Sequence, residues 1–337
     1  NLTYNVKNKS GVVLPYTPVN LRINKGYSEA ASIVEVDGIK TKGIDRPPFD
    51  QANVTHRTDA FGNVTFALKN LDLESSGEKE PESFTSIPIF SDDKLDRLHS
   101  QMLPEVNSEQ ADHSVISEFH YYVPKTKIVV PATKPSILLI TPKLDATNSI
   151  TNGATGVKQA YAPAGGDLVV VYKVIGDDGK TGVPGLALTL KINGGNSTLA
   201  ATTDAFGFAA FTVKNSDTKP NAAPVKSTSA IPAASSAFAK IAPELAGVTP
   251  TTAEGVEFHY YRGISATAAK SGKNYVVSVA IEGAAGKTAA VSVTGATKSS
   301  VRLSSPRQIV PVKVTPGAKT VTVVIDGKTY TAKVTVK

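Results

Sequence analysis

Five histidines, His56, His99, His113, His120 and His259, are the residues that would have to serve a nucleophilic triad or a transition-metal site in this chain. There is no cysteine, which excludes a disulfide framework, a thiolate zinc site and a cysteine nucleophile together. His120 and His259 stand in the same pentapeptide, Glu-Phe-His-Tyr-Tyr, at residues 118–122 and 257–261, where they alternate with apolar residues in the manner of strand side chains. No glycine-rich phosphate loop, paired-histidine zinc motif or nucleophile elbow accompanies them. The chain reads as non-enzymatic. Hard-cation chemistry has a clearer address, because Asp92, Asp93 and Asp96 form a short carboxylate cluster of the kind that takes calcium. Asp177-Asp178-Gly179 has the composition of a tight turn instead.

Charge is distributed unevenly. The net is +7, yet residues 264–337 hold eleven Lys or Arg against Glu282 and Asp326, a net of +9. Residues 72–118 hold twelve Asp or Glu against Lys79, Lys94 and Arg97, a net of −9. Opposed fields of this size favour head-to-tail contact between copies, with Arg302, Arg307 and Lys313 as the basic interface residues. An anionic cell-wall polymer is the other partner that such a basic segment would take. Nucleic acid is not, since only Tyr275 and Tyr330 are placed to stack on bases. No apolar run approaches the roughly 18 residues of a membrane span, and the chain, which starts without an initiator methionine or signal peptide, reads as a mature or excised piece.

These residues must be positioned by strands. Val, Ile and Thr at strand length, with 26 Gly and 21 Pro spread evenly, indicate short strands and turns. The pattern is also repeated. Thr58-Asp59-Ala60-Phe61-Gly62 recurs as Thr203-Asp204-Ala205-Phe206-Gly207, and both run into alternating apolar segments. Around them, Tyr4-Asn5-Val6 answers Tyr172-Lys173-Val174, and Leu21-Arg22-Ile23 answers Leu190-Lys191-Ile192. Pro104-Glu105 likewise answers Pro243-Glu244. Order is preserved while the offset shrinks, so the first copy carries two insertions. One lies within residues 27–57 and, containing Arg46-Pro47-Pro48, suits a surface excursion. The other lies between Pro88 and Pro104, where Leu95, Leu98 and Met102 at helical spacing predict a short helix. The second copy has a leader with the apolar run Ser136 to Ile140. The first copy has none, which implies either that the protein continues upstream of Asn1 or that an open edge is filled by a strand from another chain.

Residues 264–337 form a third unit, with strands expected at Tyr275–Ile281, Gln308–Val314, Thr320–Ile325 and Thr329–Val336. Asp326-Gly327 marks a two-residue hairpin between the last two. The domains are therefore drawn at 1–125, 126–263 and 264–337.

Asp177-Asp178-Gly179-Lys180, Val183-Pro184-Gly185, Leu188-Thr189-Leu190 and Thr203-Asp204-Ala205-Phe206-Gly207 together resemble the bacterial immunoglobulin-like domain of the Big-1, intimin and invasin type. The match covers residues 166–215, and residues 1–70 more loosely. The resemblance implies an all-β chain of tandem immunoglobulin-like β-sandwiches, secreted and displayed on a cell surface, without catalytic residues. On this reading the protein is a self-assembling structural component of the S-layer or filament type, using residues 72–118 and 264–337. An adhesin stalk and an Ig-like viral tail or decoration protein are the alternatives. Asn-x-Ser/Thr sequons at Asn1, Asn8, Asn53, Asn63 and Asn196 would matter only in a glycosylating host.

Overall fold

The computed structural model describes residues 1–23, 34–40, 53–71, 99–106, 109–110, 117–120, 133–145, 148–151, 155–215, 221–222, 238–271, 274–296 and 298–337. The described residues are strands and turns, with one 3₁₀ turn at Asn193–Gly195 and no helix long and apolar enough to cross a membrane. They fall into two units, residues 1–58 with 62–131, and residues 59–61 with 132–337.

In the first unit, β1 (Leu2–Asn5), β2 (Pro18–Ile23), β3 (Val34–Val36), β4 (Ile39–Lys40), β5 (Asn53–Arg57), β6 (Asn63–Phe66), β7 (Leu68–Asn70), β8 (His99–Val106), β9 (Glu109–Gln110) and β10 (Ser117–His120) make three sheets. Their orders are β1-β6, β10-β8-β2-β5 and β4-β3-β7. Val19, Leu21, Ile23, Val54, Val64, Phe66 and Met102 close the core between them. Two sequence expectations change here. Met102 belongs to a strand: β8 is paired with β2 on one side and β10 on the other, and two ladders of backbone hydrogen bonds hold it extended. Leu95 and Leu98 lie outside the described residues. The first insertion is also more than an excursion, because Val34 and Val36 are fully buried in the core and pair through β3 with β7. Arg46-Pro47-Pro48 lie outside the described residues.

The second unit begins with β11 (Ser136–Thr141), β12 (Ser149–Thr151), β13 (Lys158–Pro163), β14 (Leu168–Ile175), β15 (Ala187–Ile192), β16 (Ser197–Thr202), β17 (Phe208–Val213), β18 (Asn221–Ala222), β19 (Phe238–Leu245) and β20 (Thr252–Ala253). It continues with β21 (Val256–Ser271), β22 (Asn274–Glu282), β23 (Thr288–Val293), β24 (Ser299–Arg302), β25 (Arg307–Val314), β26 (Gly317–Ile325) and β27 (Lys328–Val336). One sheet of its first sandwich is β17-β14-β11-β20 and the other is β12-β13-β21-β19-β15-β16. β13 runs parallel to β21 while β11 pairs with β14 in the opposite sheet, so the leading strands are split between the two layers. That arrangement is the immunoglobulin-like sandwich. Tyr172, Leu188, Leu190, Ile241 and Phe258 fill its core.

The shared spelling of the two turns has a direct cause. The Thr203 hydroxyl donates to the Val183 carbonyl at 2.8 Å and accepts the Leu186 N–H at 2.9 Å, tying the preceding loop to the turn. Thr58 does the same with the Leu14 carbonyl at 2.6 Å and the Thr17 N–H at 2.9 Å. Gly207 has φ +83°, and a Cβ there would lie 2.5 Å from the Val174 carbonyl oxygen, so both the backbone angle and the close approach demand glycine.

The last sandwich stacks β21-β22-β25 on β24-β23-β26-β27 around Val277, Val279, Ile281, Val291, Val321 and Val323. Asp326 and Gly327 take φ of 49° and 75°, the left-handed pair that a type I′ hairpin needs. β23 and β24 were not legible beforehand. Thr288-Ala-Ala-Val-Ser-Val and Ser299-Ser-Val-Arg are small and polar, with weak intrinsic strand signals, and they become strands by pairing with β26 and with each other.

Candidate interaction surfaces and their junction

β21 is the element that joins the basic last sandwich to the one before it. Its sixteen residues serve first one sandwich and then the next: Val256–Tyr261 pair with β13, and Gly263–Ser271 pair with β22. The sheets of the two sandwiches are thereby one hydrogen-bonded sheet of nine strands. β21 carries through without a turn, so no linker residues mark the crossing.

The crossing point is a cluster of charged groups. Arg262 is 8% exposed, donates from Nε to the Gly283 carbonyl at 2.9 Å and from Nη1 to Asp326 Oδ2 at 3.3 Å. Lys287 Nζ meets the same Asp326 oxygen at 3.3 Å. On the adjoining side, the Tyr261 hydroxyl donates to Glu282 Oε2 at 3.0 Å and the Arg307 Nε donates to Glu282 Oε1 at 3.0 Å. Burial, reinforced by the neighbouring Glu282 carboxylate, raises the Tyr261 phenol far above its ordinary range, so it remains a donor at any physiological pH. Gly283 has φ +74°, and a Cβ on it would lie 2.1 Å from the Tyr261 carbonyl oxygen. Only glycine lets β21 and β22 approach this closely.

The predicted site residues are not gathered into one place. Asp92, Asp93 and Asp96 lie outside the described residues, as does most of the acidic stretch. Among the described residues no group of three or more His, Cys, Asp or Glu is placed to hold a metal ion. Arg302 is exposed at the end of β24, opposite Thr288. Lys313 is exposed on β25, opposite Val276, in the other sheet of the same sandwich. Arg307 is engaged by Glu282 at the junction. Both carboxylates of residues 264–337 are thus held internally, while Arg302, Lys313 and Lys333 stay exposed.

Of the two repeated histidines, His259 is buried at 4% exposure and stacks on Phe238 with centroids 5.5 Å apart and planes inclined at 21°. Its Nε2 lies 3.5 Å from Glu257 Oε2, whose carboxylate also accepts the Gln159 amide at 2.6 Å. Burial lowers the His259 pKa, partly offset by Glu257. This imidazole has no nucleophile beside it in the described residues and acts as a packed aromatic surface. Asn63, one of the sequons, is 5% exposed and accepts a 2.8 Å hydrogen bond from Asn5, which closes it to modification in the folded state.

No protein-family model and no curated protein sequence matches the chain. Among solved structures it is similar to a bacterial ice-binding adhesin studied for host cell surface retention, at 11% identity and TM-score 0.21, covering 96% of this chain and 86% of that one. It is also similar to invasin, a bacterial integrin-binding protein, at 13% identity and TM-score 0.22, covering 99% of this chain and 56% of that one. A biofilm-associated protein's BSP domain is similar at 13% identity and TM-score 0.21, with 96% and 59% covered. The chain therefore spans less than two thirds of the length of the latter two. The immunoglobulin-like assignment rests on the strand order described above.

Proposed function

We propose that this chain is a non-enzymatic structural element of a secreted, adhesin-type cell-surface protein, built from three sandwiches at 1–125, 126–263 and 264–337. The observation that carries this reading is the continuous strand β21. A single extended segment shared by two sandwiches, and clamped where it crosses by Arg262, Asp326, Tyr261 and Glu282, suits a spacer that holds its length. Rigid spacing is useful to a stalk and has no obvious use in a soluble enzyme.

Self-association in an S-layer or filament is the second reading. It is supported by the internal neutralisation of both carboxylates of residues 264–337, which leaves that sandwich strongly basic and able to meet the acidic residues 72–118 of another copy. An anionic cell-wall polymer would compete for the same surface. Negative-stain electron microscopy of the purified chain, at low and high salt and with millimolar calcium or chelator, separates these readings. Isolated elongated particles under every condition uphold the spacer. Sheets or filaments that dissolve in salt uphold charge-driven assembly, and dissolution in chelator assigns calcium to it. Collapsed particles, with the last two sandwiches changing their mutual angle from image to image, would overturn the spacer reading.

A further inference from the structure

β1 and β14 are the same strand in the two copies of the repeat. β1 pairs antiparallel with β6 as β14 does with β17, with Leu2 opposite Phe66 and Val170 opposite Phe211. Beyond the strand, Val6 donates to the Gly62 carbonyl at 2.8 Å and accepts from the Leu14 N–H at 2.9 Å. Val174 makes the same two bonds, to Gly207 at 2.8 Å and from Val183 at 3.0 Å. The turns that follow also agree, since the Gly11 N–H meets the Asn8 carbonyl and the Gly179 N–H meets the Gly176 carbonyl. Residues 2–11 therefore correspond one for one to residues 170–179.

The two strands differ on their other side. β11 covers β14, with Leu139 opposite Tyr172 and Ile137 opposite Val174, and Val170, Tyr172 and Val174 are fully buried. Their counterparts Leu2, Tyr4 and Val6 line the first core yet stay partly exposed. Among the described residues β1 pairs with β6 alone. The Val6 N–H points to the β6 side, so by alternation Thr3, inside β1, turns its N–H and carbonyl the other way. Charge differs at the same place. Asp177 holds the residues ahead of β11, accepting the Lys134 N–H at 2.7 Å, the Thr133 N–H at 3.2 Å and the Thr133 hydroxyl at 2.7 Å. In the first unit Lys9 stands at the position of Asp177 and Lys7 at that of Ile175, both exposed.

We propose that the side of β1 away from β6 is a strand-acceptor site for a segment of another polypeptide. The segment is an uncharged, branched-aliphatic run of the length of β11, antiparallel to β1, with an acidic residue two or three positions ahead of it. Main-chain hydrogen bonds to Thr3 supply affinity, while aliphatic side chains in the places of Ile137 and Leu139 cover Val6 and Tyr4. The acidic residue pairs with Lys9, reversing the polarity of the contact at Asp177. The site is independent of the spacer reading, which rests on β21 in the other unit.

Fluorescence anisotropy tests it with a labelled peptide of residues 133–143 carrying Lys134→Asp, titrated with the full chain. The expected result is saturable binding, with slowed hydrogen exchange of the Thr3 amide. The unchanged peptide, which sets Lys134 against Lys9, binds about threefold or more weakly at low salt, and the gap closes in about 0.5 M salt. Adding Ile137→Asp and Leu139→Asp to the peptide abolishes binding. In the chain, Thr3→Pro removes the outward N–H without removing a backbone bond to β6, and weakens binding at least about tenfold. Should Thr3→Pro unfold the first unit, the peptide substitutions and the Thr3 amide decide alone. No saturable binding up to about 500 μM, binding indifferent to the two aspartates in the run, or protection that appears on β14 instead of at Thr3 overturns the proposal. Equal binding of the Lys134 and Asp peptides at low salt overturns the assignment of an acidic end to the partner.

Discussion

Gly283→Ala tests whether the two C-terminal sandwiches are locked at their junction. The added Cβ would stand 2.1 Å from the Tyr261 carbonyl oxygen, where an ordinary contact is 3.4–4 Å, so the β21 and β22 backbones must part by more than an ångström. A left-handed alanine costs about 1 kcal/mol by itself. Separation of the strands also removes the Arg262 bond to the Gly283 carbonyl, and a hydrogen bond to a charged donor contributes about 1.5–3 kcal/mol. The expected loss is about 2.5–4 kcal/mol. Gly286→Ala is the matched control, since Gly286 has φ +77° with nothing within 4 Å of its Cβ position, and it should lose only the conformational part, about 1 kcal/mol. Urea unfolding followed by circular dichroism gives the energies, and hydrogen exchange of the β22 amides assigns them to the junction. Two variants that agree within about 0.5 kcal/mol would refute the claim that close approach, rather than backbone angle, makes this glycine necessary.

The remaining expectations concern single groups. Thr203→Val keeps shape and removes two buried hydrogen bonds, so it should cost about 2–3 kcal/mol in urea unfolding, and Thr58→Val should cost as much in the first unit. His259 has a folded pKa below that of an unfolded imidazole, so the unfolded chain takes up the proton first. Stability is therefore lost as pH falls through about 6.5 towards the folded value, and His259→Phe should flatten the difference between urea midpoints at pH 7.5 and 5.5. The Asp178 carboxylate accepts from the Thr181 hydroxyl and from the Lys180 and Thr181 N–H groups, which lowers its pKa to about 2. An NMR titration should find it ionised well below the ordinary carboxylate range, and Thr181→Val should bring it back up. The turn contribution of this group is present at neutral pH and disappears as pH falls towards that value.

What the sequence revealed depended on how local the determinants were. The β26–β27 hairpin was legible because Asp326-Gly327 and the alternation of Tyr330, Ala332, Val334 and Val336 lie within a dozen residues. The Thr-Asp-Ala-Phe-Gly turn was legible because it is spelled twice, although its threonine proved to be a tie to a loop some twenty residues upstream. Met102 misled, since helical spacing with Leu95 and Leu98 arises by chance in a short apolar segment and pairing on both sides overrides it. Charge sums showed that the last sandwich is basic without showing that Arg302 and Lys313 lie in different sheets. The junction was out of reach, because Arg262, Gly283 and Asp326 are joined only by strand register.

β21 also fixes how tension would travel. A chain pulled along its length ordinarily yields first at the linkers, which straighten before any domain is stressed. Here no slack exists between the two sandwiches, so load passing Tyr261 enters the β21–β22 ladder directly and lies along the strands. Antiparallel strands drawn in that direction slide against each other, and the ladder from Gly263 to Ser271 resists as a set instead of opening rung by rung. The crossing that sets the spacing is therefore also a point at which load is taken in shear.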